Sequence, residues 1–217
     1  MSKARTSFFV GALVMAASFL GACASILGID QAQHDAQLDR ASGGTSGSGG
    51  GADGSGGKAG PKTLCGEYCD TVMANCTGDT PVYRSRPVCD AVCLALPKGA
   101  PGDTSGNTVE CRLHFAQLAG TVGETTLNCP AAGPGGDGFC GENCEGFCTI
   151  AGVACPSSPV VGAPCPGVCG KLPDPGGYTS NIETGNSVEC RLYHVSAATI
   201  DPLTHCKHVA GIGACLP

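Results

Sequence analysis

The chain has 217 residues and a formal net charge of −6; 17 residues are cysteine, 35 are glycine, aromatics make up 5% and tryptophan is absent. Large apolar side chains are too scarce for a conventional core, so covalent cross-links are expected in their place. The acidic balance, with no Lys/Arg cluster in the body of the chain, argues against a nucleic-acid partner, and beyond the N-terminus no apolar run is long enough to span a bilayer.

Residues 1–22 carry Lys3 and Arg5, then "FFVGALVMAASFL", then small residues, the three regions of a secretory signal peptide. The string Leu20-Gly21-Ala22-Cys23 resembles the lipobox of bacterial lipoproteins. That resemblance implies cleavage before Cys23 and acylation of its thiol, with the membrane as partner through a lipid anchor. Acyl chains contribute roughly 0.8 kcal/mol per buried methylene, so several chains on one residue hold a protein at the bilayer without spanning it. Ala24 stands where inner-membrane lipoproteins of enterobacteria tend to carry Asp, which implies delivery to the outer membrane, facing the periplasm or the cell surface.

Residues 23–62 form the lipidated N-terminus and a tether. From Ser42 to Gly60 the sequence reads "SGGTSGSGGGADGSGGKAG", a flexible coil by composition. A linker from Ala24 to Lys62 has an r.m.s. reach of about 35 Å. Gly49, Gly51 and Gly54 satisfy G-x-G-x-x-G, but neither a strand before them nor an amphipathic helix after them supports a dinucleotide site. Lipobox, "ILGID", Gly/Ser tether and cysteine-rich body together resemble the cysteine-rich surface lipoproteins of myxobacteria and their relatives.

Without Cys23, sixteen cysteines remain, in two sets of eight. Cys65, Cys69, Cys76, Cys89, Cys93, Cys111, Cys129 and Cys140 lie in residues 63–140. Cys144, Cys148, Cys155, Cys165, Cys169, Cys190, Cys206 and Cys215 lie in residues 141–217. Their spacings run in parallel, and "GNTVECRLHF" at 106–115 returns as "GNSVECRLYH" at 185–194, offset by 79 residues like Cys65 and Cys144. The expected architecture is a small, disulfide-rich, mainly α fold: two tandem homologous modules of short helices and loops after a disordered tether.

Each module reads as three helices. In the first, Cys65, Cys69, Val72 and Cys76 share one helix face. Pro87 suits the first turn of a second helix that carries Cys89, Val92, Cys93 and Leu96 and stops at Pro97. The third is expected to start at Asn107, capping with Glu110 reaching back, a capping box repeated by Asn186 and Glu189. Val109, Leu113 and Ala116 would supply its buried stripe.

Cysteines four apart on a helix have Cβ atoms about 5–6 Å apart, too far for the roughly 3.8 Å of a disulfide, so each must reach another segment. Eight cysteines admit 105 connectivities. Two antiparallel C-x3-C helices can be stapled outer to outer and inner to inner, giving Cys65–Cys93 and Cys69–Cys89, then Cys144–Cys169 and Cys148–Cys165. The remaining pairs stay open.

Chemistry has little foothold. No C-x2-C occurs for a zinc ribbon or a redox pair, no G-x-S-x-G elbow is present, and no cofactor is expected. C-x3-C on helix faces resembles bacterial copper-storage bundles, so Cu(I) sequestration is the main alternative and thiol–disulfide exchange a second. Export through an oxidising compartment favours disulfides over both. His194, His205 and His208 lie near Cys206, and "HCKH" invites a metal reading; their counterparts Phe115, Asn128 and Ala131 cannot ligate, so they are read as ordinary polar positions. Glu110 and Glu189 are assigned to capping, Arg112 and Arg191 to surface or inter-helix contacts. The functional expectation is a non-catalytic binding or structural protein that contacts an envelope polysaccharide or protein, with two modules permitting bivalent attachment.

Overall fold

In the computed structural model, which describes residues 62–216 apart from Val122 and Ala163, every regular element is a helix. The signal peptide, Cys23, the tether and its glycine motif lie outside the described residues. The first repeat folds into α1 (Leu64–Asn75), α2 (Arg86–Ala95), α3 (Val109–Thr121) and α4 (Thr125–Ala132). The second gives α5 (Asn143–Ala154), α6 (Cys165–Cys169), α7 (Val188–Ala198) and α8 (Pro202–Val209).

Four helices per repeat replace the expected three. The extra ones, α4 and α8, are eight residues long, and α4 carries Pro130 inside it, so neither shows a long apolar period. α8 does carry a start signal: the Asp201 side chain accepts the Thr204 N–H at 3.2 Å, and Pro202 fills the first helical position.

Eight disulfides close the fold, four in each repeat. Cys65–Cys93 and Cys69–Cys89 staple α1 to α2, and Cys144–Cys169 and Cys148–Cys165 staple α5 to α6, as the antiparallel hairpin requires. The remaining pairs also repeat. Cys76–Cys129 and Cys155–Cys206 tie the end of the first helix to the fourth, and Cys111–Cys140 and Cys190–Cys215 tie the third helix to the end of the module. Such cross-links belong to an oxidising, extracytoplasmic setting. Among the described residues no helix is long and apolar enough to cross a membrane.

The expected capping boxes are not formed. Thr108 and Ser187, one residue later than the expected Asn107 and Asn186, cap α3 and α7: their hydroxyls accept the N–H groups of Cys111 at 3.2 Å and Cys190 at 3.3 Å. The asparagines instead turn their amide oxygens to the guanidinium one helical turn on, Asn107 to Arg112 at 2.8 Å and Asn186 to Arg191 at 3.1 Å. Glu110 and Glu189 accept the N–H groups of Gly102 and Gly176 rather than reaching back to the cap.

Arg112 is therefore no surface residue. It is fully buried, and its guanidinium donates to Asn107 Oδ1 and to the carbonyls of Thr108, Gly133 and Pro134. Burial lowers its pKa, while the facing Tyr68, Tyr83 and Glu145 counter that in part. Tyr68 donates to Ala132 O at 2.6 Å and receives the Tyr83 hydroxyl at 2.8 Å, ring edge to ring face. Burial raises the Tyr83 pKa to about 12.

The two repeats belong to one compact unit. α2 packs on α5 and α7. Tyr178 of the second repeat is buried against Val82 and Gly133 of the first. Ser180 N–H donates to Pro81 O at 2.6 Å, Asn107 Nδ2 to Thr149 Oγ1 at 3.0 Å, and Arg84 Nε to Ser180 O at 3.0 Å, with Arg84 also paired to Glu183. Asp137, in the left-handed region at φ 48°, is held there by Asn143 Oδ1 on its N–H at 3.1 Å while its carboxylate accepts Gly177 N–H at 2.9 Å. The modules are thus packed together, so independent swinging at their junction is not how the pair would engage a ligand.

Candidate functional site

The repeats differ most in chemistry where the third helix meets the fourth. In the first repeat the matching positions are Phe115, Asn128 and Ala131, and Phe115 on α3 meets Phe139 obliquely, centroids 5.3 Å apart. In the second, His194 on α7 meets His205 and His208 on α8. His205 and His208, three apart, share one face of α8. Cys206 lies between them and is turned to the opposite side by its bond to Cys155.

Each ring has a defined setting. His194 is 5% exposed; its Nε2 donates to Glu183 O at 3.0 Å, which leaves Nδ1 as an acceptor, 2.8 Å from His205 Nδ1. Burial lowers the His194 pKa to about 4, with the neighbouring His208 and His205 adding to the effect. Burial also lowers that of His205, which the Asp201 carboxylate opposes. His208 sits 4.4 Å from His194, centroid to centroid, and its Nδ1 lies 2.6 Å from Ile212 O and 3.0 Å from Ala214 N, so it faces both a backbone acceptor and a backbone donor.

A tight turn cradles His208. Gly213 adopts φ +81°, and a Cβ there would come within 2.6 Å of the imidazole, so only glycine lets the backbone lie against the ring. The Cys190–Cys215 bond pins this turn to α7, one turn before His194; its two sulfurs and a His194 ring nitrogen lie within 4.8 Å of one another. As a disulfide, that pair is not a thiolate ligand set.

The outer face of α8 is apolar. Pro202, Leu203 and Ile212 line an open groove of about 480 Å³ with Pro156 and Pro159, and Leu203 is 93% exposed. At the junction of the repeats a second, polar recess holds Asp137, Glu142, Asn143 and Asp174. Asn143 Nδ2 donates to Asp174 at 2.8 Å and to Asp137 at 3.3 Å. Glu189, 1% exposed, borders it through Gly176 and carries one oxygen with no hydrogen-bond partner. Burial, with Asp174 alongside, raises its pKa.

The residues singled out in the sequence thus fall in separate places. The sixteen cysteines form the cross-linked frame. Glu189 and Asn186 stand at the start of α7, Asn107 and Glu110 at the start of α3. His194, His205 and His208 converge. The sequence signal for that convergence was the three-residue spacing in "HCKH" alone, since the partner ring comes from another helix. No family model, curated protein or solved structure matches this chain.

Proposed function

We propose that this is a lipid-anchored bacterial envelope protein with a non-catalytic binding or structural role, held through Cys23 at the outer membrane. One observation carries the reading: all sixteen module cysteines are joined in disulfides, which leaves no thiol among them for Cu(I) storage or for disulfide exchange. What remains is a rigid body whose exposed apolar groove at α8 suits a protein ligand of the envelope better than a polysaccharide.

Protein recovered from native envelope, alkylated under denaturing conditions with and without reduction and read by mass spectrometry, tests this. Without reduction no module cysteine takes label, and the N-terminal peptide starts at an acylated Cys23. Many labelled cysteines would return Cu(I) or redox chemistry to the front; an unacylated N-terminus would remove the anchor.

A further inference from the structure

We propose that the apolar groove between the end of α5 and α8 docks a segment of another envelope protein that presents aliphatic side chains and one carboxylate, the carboxylate pairing with Lys207. This rests on the binding role proposed above and names the chemistry of the partner.

The surface around the groove is one that folding does not require. From Gly146 to Gly170 the chain has no Asp, Glu, Lys or Arg. Leu203 is 93% exposed, Ile212 59%, and Val153, on the last turn of α5, 64%, so apolar side chains gather in water where single ones would be ordinary. The duplication supplies the contrast. Aligned on Cys76 and Cys155, "ANCTGDT" at 74–80 stands against "VACPSSP" at 153–159; aligned on Cys129 and Cys206, Thr126 and Pro130 stand where the second repeat has Leu203 and Lys207. The first repeat builds the same four helices with polar residues and Asp79 at these positions. The apolar set of the second repeat therefore serves something other than the fold.

Charge selects the occupant. Among the described residues that line the groove Lys207 bears the only charge, and it forms no ion pair with any described residue. Leu203 and Lys207, four apart, share one face of α8. A lone cation beside apolar walls is matched by a ligand with a single anionic group, which sets its orientation while burial of aliphatic groups supplies affinity. Pro156, Pro159 and Pro202 have no N–H to offer, so the walls recognise side chains rather than a peptide backbone. The Cys155–Cys206 bond joins the two walls, so the groove is formed before a ligand arrives and little ordering opposes binding.

A library of random 12-residue peptides displayed on phage, panned against the intact protein with its eight disulfides, tests this; the most enriched peptide is synthesised and titrated by fluorescence anisotropy. Enriched sequences are expected to combine aliphatic residues with one Asp or Glu. Affinity falls at least tenfold in Leu203→Ser and in Lys207→Glu, and is unchanged in Leu94→Ser, whose leucine is 80% exposed on α2. The same peptide with its acidic residue changed to Lys binds Lys207→Glu more tightly than it binds the parent protein. Both α8 variants replace exposed side chains, and their complete set of disulfides, read by mass spectrometry, checks that they fold. Failure to enrich any sequence, or an affinity that survives both α8 variants, would overturn the proposal. So would results that assign the surface elsewhere: a dimer in sedimentation that Leu203→Ser abolishes, or Leu203-dependent binding to vesicles of phosphatidylcholine and phosphatidylglycerol. The thiol count and the state of Cys23 are measured on the same preparation, so loss of the groove and loss of the broader envelope role are told apart.

Discussion

Arg112 shows how one side chain can decide a local structure. A buried guanidinium usually answers to a carboxylate; here it is satisfied by three carbonyls and an amide oxygen that come from two turns of chain, 107–108 and 133–134. Removing it leaves four buried acceptors empty. Arg112→Ala is expected to cost about 3–5 kcal/mol, read by denaturant unfolding. Arg191→Ala should cost less, because Arg191 donates only to Ser187 O and Asn186 Oδ1. Equal losses would mean that Arg112 is not the organising contact.

Glu189 makes a pH argument. Its folded pKa is raised, so between the ordinary carboxylate range and that raised value the folded chain binds more protons than the unfolded one. Its contribution is fully present below the unfolded pKa and is lost as pH rises through the folded one. Melting temperature followed from pH 4 to 8 should decline across that window in the parent and less so in Glu189→Gln, which should be the more stable of the two at neutral pH. An identical slope in both proteins would exclude Glu189 as its source.

At the scale of the helix, α5 carries two glycines with opposite meanings. A Cβ on Gly146 would run into the backbone of Pro134 and Gly135, whereas one on Gly152 meets nothing within 4 Å. Gly146→Ala should destabilise by about 1–3 kcal/mol and Gly152→Ala stabilise by roughly 0.5–1 kcal/mol, both read as shifts in denaturant midpoint. Matching signs would contradict the close approach of α5 to the 133–136 turn.

Helices also mark how far local sequence reaches. α1, α2 and α3 follow from apolar spacing and from Pro87 and Pro97, and the two C-x3-C staples of each hairpin are those that an antiparallel pairing of the two helices permits. α4 and α8 are too short to impose a period. By sequence Asn107 and Asn186 look as able to cap as Thr108 and Ser187; what separates them is the buried arginine, a partner that burial and not spacing reveals. The histidine cluster was half legible. His205 and His208 share a face by spacing, but His194 joins them only because α7 and α8 pack together, with Cys190–Cys215 fixing the turn beside them.

For the whole molecule, duplication produced one packed body with unlike ends. The junction is polar and backbone-rich, with Asp137, Asn143 and Ser180 supplying bonds across or beside it, while Tyr178 fills its apolar part. Surface ion pairs such as Arg84–Glu183 add little in stability, being about half exposed. The repeats therefore hold together mainly by burial and by main-chain hydrogen bonds.

No disulfide passes from one repeat to the other. The loops closed by Cys65–Cys93, Cys76–Cys129 and Cys111–Cys140 overlap in series, as do those closed by Cys144–Cys169, Cys155–Cys206 and Cys190–Cys215. A protease that nicks the chain once within either series leaves the pieces covalently joined. Between Cys65 and Cys215, a single cut severs the covalent chain only from Cys140 to Cys144. There Asn143 is buried and hydrogen-bonded to Asp137 and Asp174 while Glu142 is exposed, so the one stretch whose cleavage would part the repeats presents a protease with a single outward-facing residue.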